Sequence, residues 1–122
     1  MDARTFYNWN LPRVHVPDAP LAFIKACIFS GCVRWTYHVT MRLQQRGLRV
    51  EMLRNAIATL EIIETYAEDK YLPSFLVRGE SEGVVFHAQV ATDAEGENIR
   101  IVTMYVPRAG EWDNGLRVRR TR

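Results

Sequence analysis

The chain has 122 residues, the usual size of one domain, and leaves no room for a second. Its hydrophobic fraction of 48% and charged fraction of 25% are typical of a soluble globular protein and exclude disordered, collagen-like and disulfide-dense chains. The net charge is only +2, but fourteen of the sixteen basic residues are arginine. This ratio is compatible with a nucleic-acid partner and equally with a GC-rich genome that favours arginine codons.

The beginning of the sequence has no basic segment followed by a long apolar run, so we expect neither a signal peptide nor a membrane span. The two cysteines, Cys27 and Cys32, are too few for a disulfide framework. They and the three scattered histidines also lack the spacing of zinc ligands. We therefore expect a cytoplasmic protein without a metal ion or another cofactor.

The first half of the chain predicts helices. Residues 1–17 contain aromatic residues and prolines without periodicity, which predicts an irregular arm. Helical spacing of apolar residues then predicts helices over 18–31, with Asp18 as the N-cap, over 36–47 and over 50–60. All three are short, so they must pack against another element to be stable.

From about residue 61 the hydrophobic period changes to two, which indicates strands. The predicted strands are residues 75–77, 84–90 and 99–106, with an edge strand beginning at 62–63 and hairpin loops at 79–83 and 93–96. Helices followed by strands predict an α+β domain over 18–112, in which the N-terminal helices pack on one face of a C-terminal antiparallel β-meander of about four strands. Residues 113–122 form an arginine-rich tail.

Charge is unevenly distributed along the chain. Residues 32–60 contain five basic residues and one acidic residue. Residues 61–98 contain two basic and nine acidic residues, and residues 99–122 contain six basic and two acidic residues. Two basic blocks therefore flank an acidic one, and a local anion site is compatible with the low net charge. The alternative is that acidic residues simply crowd the turns of the sheet.

The second predicted helix places three candidate catalytic residues on one face. His38, Arg42 and Arg46 follow one another at four-residue spacing. Histidine transfers protons near neutral pH and arginine binds phosphate, so this stripe suits metal-independent cleavage of RNA through the 2′-hydroxyl. Arg49, in the same basic block, is a candidate nucleic-acid contact. A solvated helix face is the alternative.

The strands supply further candidates. Alternation places His87 on the sheet face opposite Phe86, where RNA could lie, although a buried, hydrogen-bonded histidine fits the pattern equally. Alternation also predicts that Ile99, Ile101, Thr103 and Tyr105 share one face. Tyr105 would then stack on a base or donate a proton, or else pack in the core.

The tail contains a run of arginines. Arg117, Arg119 and Arg120 are candidate phosphate contacts, and a solvated, disordered end is the alternative.

Three segments resemble the DUF4258 family of small bacterial and phage-associated proteins. They are WTYHVTMRLQQRGL (35–48), VVFH (84–87) and IVTMYVPRAGEW (101–112). The first is the most specific, since family members show the pattern T-x-H-x-x-x-R-x-x-x-R-G-I, here with Leu48 in place of the isoleucine. The resemblance covers about residues 33–112.

At greater distance, this family resembles the RelE-type ribonuclease toxins. That resemblance implies an antiparallel sheet with helices on one side, a metal-independent endoribonuclease activity and a protein antitoxin as partner. The residues that match are His38, Arg42, Arg46, His87, Thr103 and Tyr105. The leading hypothesis is therefore a toxin ribonuclease. The alternatives are a non-catalytic module of a phage or mobile element that binds nucleic acid or protein, and a structural protein with core histidines.

Overall fold

The computed structural model describes residues 16–69 and 71–121. The predicted arm at 1–17 lies outside the described residues except for its last two positions. The helices are α1 (Pro20–Ser30), α2 (Tyr37–Gln45) and α3 (Glu51–Asn55), with 3-10 turns at Ile57–Thr59 and Ala109–Glu111. The strands are β1 (Val33–Trp35), β2 (Glu61–Tyr66), β3 (Ser74–Ser81), β4 (Val84–Asp93), β5 (Asn98–Tyr105), β6 (Trp112–Asp113) and β7 (Val118–Arg119).

The helix ends follow local chemistry, with two corrections. Thr36 caps α2 as predicted, because its hydroxyl oxygen accepts a hydrogen bond from the Val39 amide at 3.1 Å. The prediction that Asp18 caps α1 is wrong: the N-cap is Ala19, which makes no side-chain cap, and Pro20 occupies the first turn. The predicted third helix over 50–60 is instead the short α3 followed by a 3-10 turn.

The fold is α+β, and its main sheet has the strand order β1-β5-β4-β3-β2. The four strands β2 to β5 form the predicted antiparallel meander. The additional strand β1 pairs in parallel with residues 99–101 of β5, which makes the sheet mixed. Three residues are too few to produce a periodic signal, so the sequence pattern did not predict this strand.

The hairpin turn between β3 and β4 is tighter than predicted. Residues 79–81, expected in a loop, belong to β3, and the turn is only Glu82-Gly83, with φ of 52° and 81°. Two positive φ values are typical of the two-residue turns that suit strand twist. Gly79 faces the helices, where an added Cβ would lie 2.9 Å from side-chain carbons of Leu60 and Phe86. This glycine therefore serves close packing.

We call the sheet face covered by α1 to α3 the first face and the opposite one the second face. The core on the first face includes Ile24, Leu43, Leu53, Phe75, Val77, Phe86, Ala88, Val90, Ile99, Ile101 and Met104. Ile101 pairs with Val90, whereas Thr103 pairs with Gln89, so Val102 is an extra residue in β5. This β-bulge places Ile101 and Met104 in the core but Thr103 and Tyr105 beside Gln89 and His87. The prediction that Thr103 and Tyr105 share a face with Ile99 and Ile101 is therefore wrong.

The C-terminal segment folds back over the second face. Strands β6 and β7 pair as a small hairpin, and buried Trp112 contacts the His87 ring with 4.4 Å between centroids. Arg78 of β3 donates from Nε to the Gly115 carbonyl at 2.8 Å. The arginine-rich tail is therefore packed against the sheet over most of its length. No helix in the described ranges is long and apolar enough to cross a membrane.

Candidate functional site

Helix α2 lies beside the part of β5 that β1 leaves uncovered. Strand β1 ends at Trp35, which pairs with Ile101, and the chain enters α2 directly afterwards. Arg46 then donates from Nη1 to the Met104 carbonyl at 2.7 Å and lies 3.4 Å from Thr103 Oγ1. A strand carbonyl thus gains a charged donor, so Arg46 fixes the end of α2 on the sheet.

A cleft of about 300 Å³ opens between α2 and β5, and we call it the His–Arg cleft. Its lining is His38, Val39, Arg42, Val102, Thr103 and Met104. His38 and Arg42 are both exposed. Within the described part of the chain, the Arg42 side chain has no hydrogen bond and no ion pair. Its guanidinium group can therefore bind a ligand without breaking an existing contact.

Tyr105 belongs to a neighbouring cavity of about 410 Å³. This cavity is lined by Arg46, Tyr105, Val106, Arg108 and Glu111. Arg46 connects it with the His–Arg cleft through its hydrogen bonds to Thr103 and Met104. The Tyr105 hydroxyl lies 3.3 Å from Nδ1 of His87. Burial raises the pKa of Tyr105, which keeps the phenol protonated and able to donate to that nitrogen.

His87 is a core residue of the second face. Its side chain is 0% exposed, and its Nε2 lies 2.7 Å from the Leu116 carbonyl. A carbonyl only accepts hydrogen bonds, so Nε2 carries the proton and Nδ1 accepts from Tyr105. Burial lowers the pKa of His87, which favours this neutral form. The structure therefore separates His87 from His38 and favours the buried alternative.

The tail arginines cross-link the hairpin to acidic residues. Arg117 donates from Nε to Glu61 at 2.7 Å, and Arg119 donates to both carboxylate oxygens of Glu64. Arg119 also lies over the Trp112 ring at 4.6 Å. Arg120 donates to Asp113 at 2.7 Å. These carboxylates already occupy the guanidinium groups that were predicted to contact phosphate.

The same contacts change the pKa values of both glutamates. The hydrogen bond from Arg117 lowers the pKa of Glu61. Burial alone would raise the pKa of Glu64, but hydrogen bonds from Arg119 and Tyr66 lower it. Both glutamates are therefore held in the charged form that the arginines require.

Arg49 lies apart from the cleft. It is exposed and lines a cavity of about 530 Å³ with Tyr37 and Met41, on another side of α2. The structure thus brings together His38, Arg42 and Thr103, with Arg46 at the edge of the group. Tyr105 lies in the next cavity, and His87 and the tail arginines lie outside.

Val102, which the sequence pattern did not mark as a site residue, lines the His–Arg cleft because of the β-bulge. No local sequence signal marks this bulge, since Val102 fits the alternating pattern as well as its neighbours do. Across residues 16–69 and 71–121, no group of three His, Cys, Asp or Glu side chains could hold a metal ion.

Similarity to known proteins identifies the family of this chain. A family model described as "Domain of unknown function (DUF4258)" matches residues 35–106, more than half of the chain. The chain belongs to the DUF4258 family. The DUF4258 match includes α2 and β2 to β5, and hence the whole His–Arg cleft, but not the C-terminal hairpin. No curated protein and no solved structure matches the chain, so the resemblance to RelE-type toxins stays a prediction.

Proposed function

We propose that this DUF4258 protein is a metal-independent endoribonuclease whose active site is the His–Arg cleft. The observation that carries the proposal is that Arg42, with no partner among the described residues, lines the same cleft as the exposed His38. A guanidinium group binds two phosphate oxygens through parallel hydrogen bonds. An imidazole beside it transfers protons near neutral pH.

The reaction is a transesterification at phosphorus. His38 accepts the proton of a ribose 2′-hydroxyl, and the 2′-oxygen attacks the adjacent phosphorus. The bond from phosphorus to the 5′-oxygen breaks, that oxygen takes a proton from water in the open cleft, and His38 returns its proton to the solvent. The products are a 2′,3′-cyclic phosphate and a 5′-hydroxyl end. Arg42 neutralises the charge that grows on the phosphoryl oxygens in the transition state.

Three of the predicted catalytic residues have a different role, or none, in this proposal. His87 does not take part, because it is buried and both ring nitrogens have partners. Arg46 acts as a positioning residue that holds α2 against Thr103 and Met104. Tyr105 lies beyond Arg46 and faces His87, so it is not the proton donor for the leaving group.

The test is incubation of purified protein with total RNA in the presence of EDTA. We expect fragments with 2′,3′-cyclic phosphate ends. His38→Ala should lower the cleavage rate by about 10²-fold or more, the usual effect of losing a general base. Arg42→Ala should lower it by a similar factor because the transition-state charge loses its partner.

Arg49→Ala is the matched control, because it removes the same charge from an exposed position outside the cleft. Its cleavage rate should stay close to that of the wild type. The proposal fails if the wild type does not cleave, or if Arg42→Ala and Arg49→Ala lower the rate equally.

A toxin role, a protein antitoxin and a cytoplasmic location are further parts of the proposal. Two observations support them: the cleft is open to solvent, so a partner protein can cover it, and Cys27 and Cys32 are both free thiols. Induction of the protein in a bacterial host should arrest growth, and the product of the adjacent gene should restore it. Arrest that persists in His38→Ala would contradict RNA cleavage as its cause.

The second candidate function is binding of nucleic acid without cleavage. The observation that favours it is that, among the described residues, His38 is the only histidine that lines the cleft, so no second imidazole of this part of the chain serves the leaving group. This candidate predicts RNA binding that weakens steeply as salt increases, without formation of product. Arg42→Ala should then weaken binding more than Arg49→Ala does.

A further inference from the structure

A larger cavity adjoins the His–Arg cleft on the second face of the sheet. It measures about 550 Å³, within the usual range for ligand-binding pockets. It shares Val39 and Val102 with the cleft, so a ligand can extend from one into the other. Its floor is formed by second-face residues of the sheet that the C-terminal hairpin does not cover.

The polar end of this cavity is a chain of hydrogen bonds with a fixed direction. Ser74 is 2% exposed, and its hydroxyl donates to the Asp69 carboxylate, which can only accept. Ser74 Oγ must therefore accept from Gln89, whose Nε2 lies 2.7 Å away. The amide of Gln89 is thereby oriented, and its Oε1 has no hydrogen-bond partner within the described ranges.

Two hydrogen-bond acceptors remain at this end without a partner among the described residues. They are Gln89 Oε1 and the lone pairs of the Asp69 carboxylate that Ser74 does not use. Two other polar lining residues have partners as well: Thr36 caps α2, and Arg100 forms an ion pair with Asp93 at 3.6 Å. A ligand with two adjacent donors matches these two acceptors.

The walls of the cavity are apolar and aromatic. Leu72, Ala91 and Val102 line it together with the ring of Tyr71. Such walls suit a flat ring, since nucleobases stack on aromatic side chains and show their polar edges to hydrogen-bonding groups. Among the four RNA bases, only guanine has two adjacent donors on its Watson–Crick edge, namely N1–H and the 2-amino group.

We propose that this cavity binds the guanine base of the nucleotide whose 3′-phosphate lies at Arg42. Asp69 and Gln89 accept the N1–H and 2-amino hydrogen bonds, and the cavity walls hold the two faces of the ring. The consequence of this binding would be cleavage of RNA after guanosine, and that consequence rests on the proposed function. The binding itself does not require cleavage.

The test measures binding of 3′-GMP, 3′-AMP, 3′-CMP and 3′-UMP by NMR titration. These mononucleotides have no phosphodiester bond to cleave, so binding is observed alone. We expect 3′-GMP to bind at least about tenfold more tightly than the others, as a pair of hydrogen bonds to a base edge usually provides. Asp69→Asn should remove most of that preference, because an amide N–H then faces a donor of the base.

Glu68→Gln is the matched control, because it removes the same charge from the neighbouring exposed position, which does not line the cavity. Its 3′-GMP affinity should equal that of the wild type. Equal affinity for all four nucleotides, or equal losses in Asp69→Asn and Glu68→Gln, would overturn the inference.

Mapping the RNA ends produced by the wild type separates this inference from the proposed function. Cleavage without preference for guanosine overturns the guanine site and leaves the ribonuclease proposal intact. Selective binding of 3′-GMP without any cleavage overturns the ribonuclease and supports the site.

Discussion

The two halves of the second sheet face differ in what covers them. In one half, Arg78 and His87 lie beneath the C-terminal hairpin and are nearly or fully buried, at 9% and 0% exposed. In the other half, Gln89 and Arg100 line an open cavity that continues into the His–Arg cleft. Both halves carry polar side chains on the same strands, β3, β4 and β5.

The difference shows that polar residues on a sheet face do not by themselves mark a binding surface. Under the hairpin, each charged or polar group has a partner, as Arg119 has in Glu64 and His87 has in Leu116. Such contacts stabilise a packed layer because buried polar groups are costly when they are unsatisfied. At the cleft, Arg42 remains available for a ligand.

The largest stability effect should come from the covered half. Trp112→Ala removes the buried ring between His87 and Arg119 and should lower the free energy of unfolding by about 3–5 kcal/mol. Val102, in the open half, is 54% exposed, so Val102→Ala should change the free energy of unfolding by no more than about 0.5 kcal/mol. Urea denaturation measures both. Similar losses would mean that the halves do not differ.

We expect the two histidines to differ in role: His87 contributes to stability, and His38 contributes to activity. His87→Leu leaves the Leu116 carbonyl without its donor and should cost about 1–3 kcal/mol of unfolding free energy, while folded protein keeps its RNA cleavage rate. His38→Leu should change the free energy of unfolding by no more than about 0.5 kcal/mol, and the variant should lose RNA cleavage. A stable but inactive His87→Leu variant would place His87 in the active site and contradict this division.

The pH dependence of stability should also report on the covered half. Because the pKa of folded His87 is lowered from 6.5, the unfolded chain binds more protons below that pH, and the free energy of unfolding falls as the pH decreases. One proton accounts for at most about 1.4 kcal/mol per pH unit. Denaturation between pH 7.5 and about pH 5 should show a weaker dependence in His87→Gln. Identical curves would show that His87 is accessible to protons in the folded state.

The smallest effect should come from the ion pairs at the edge of the hairpin. Glu64→Gln weakens the contact with Arg119 and should lower the free energy of unfolding by at most about 1 kcal/mol, less at high salt. Glu68→Gln, whose carboxylate makes no ion pair among the described residues, should have no effect. A loss in Glu64→Gln that is independent of salt would indicate packing as its source.

Much of the fold could be predicted because its signals are local. Helical spacing and the Thr36 cap indicated α2, and the period of two indicated the meander β2 to β5. Strand β1 was missed because its three residues are ordered by pairing with β5, not by their own pattern. The face of Thr103 and Tyr105 was wrongly predicted because one extra residue, Val102, reverses the alternation.

The candidate site was predicted in part, for the same reason. His38, Arg42 and Arg46 were placed together because they lie four residues apart on one helix. The grouping with His87 and the tail arginines required contacts across many residues, and the structure does not form it. Arg117 and Glu61, for example, are 56 positions apart, and no local pattern connects them.

By itself, the sequence determined the α+β class, the DUF4258 family and the stripe of His38, Arg42 and Arg46, because composition, periodicity and helical spacing are properties of neighbouring residues. Only the tertiary structure decided which arginines are free and which half of the second face is open. Those depend on how a hairpin at the end of the chain packs on strands formed earlier, and packing between distant segments leaves no local trace.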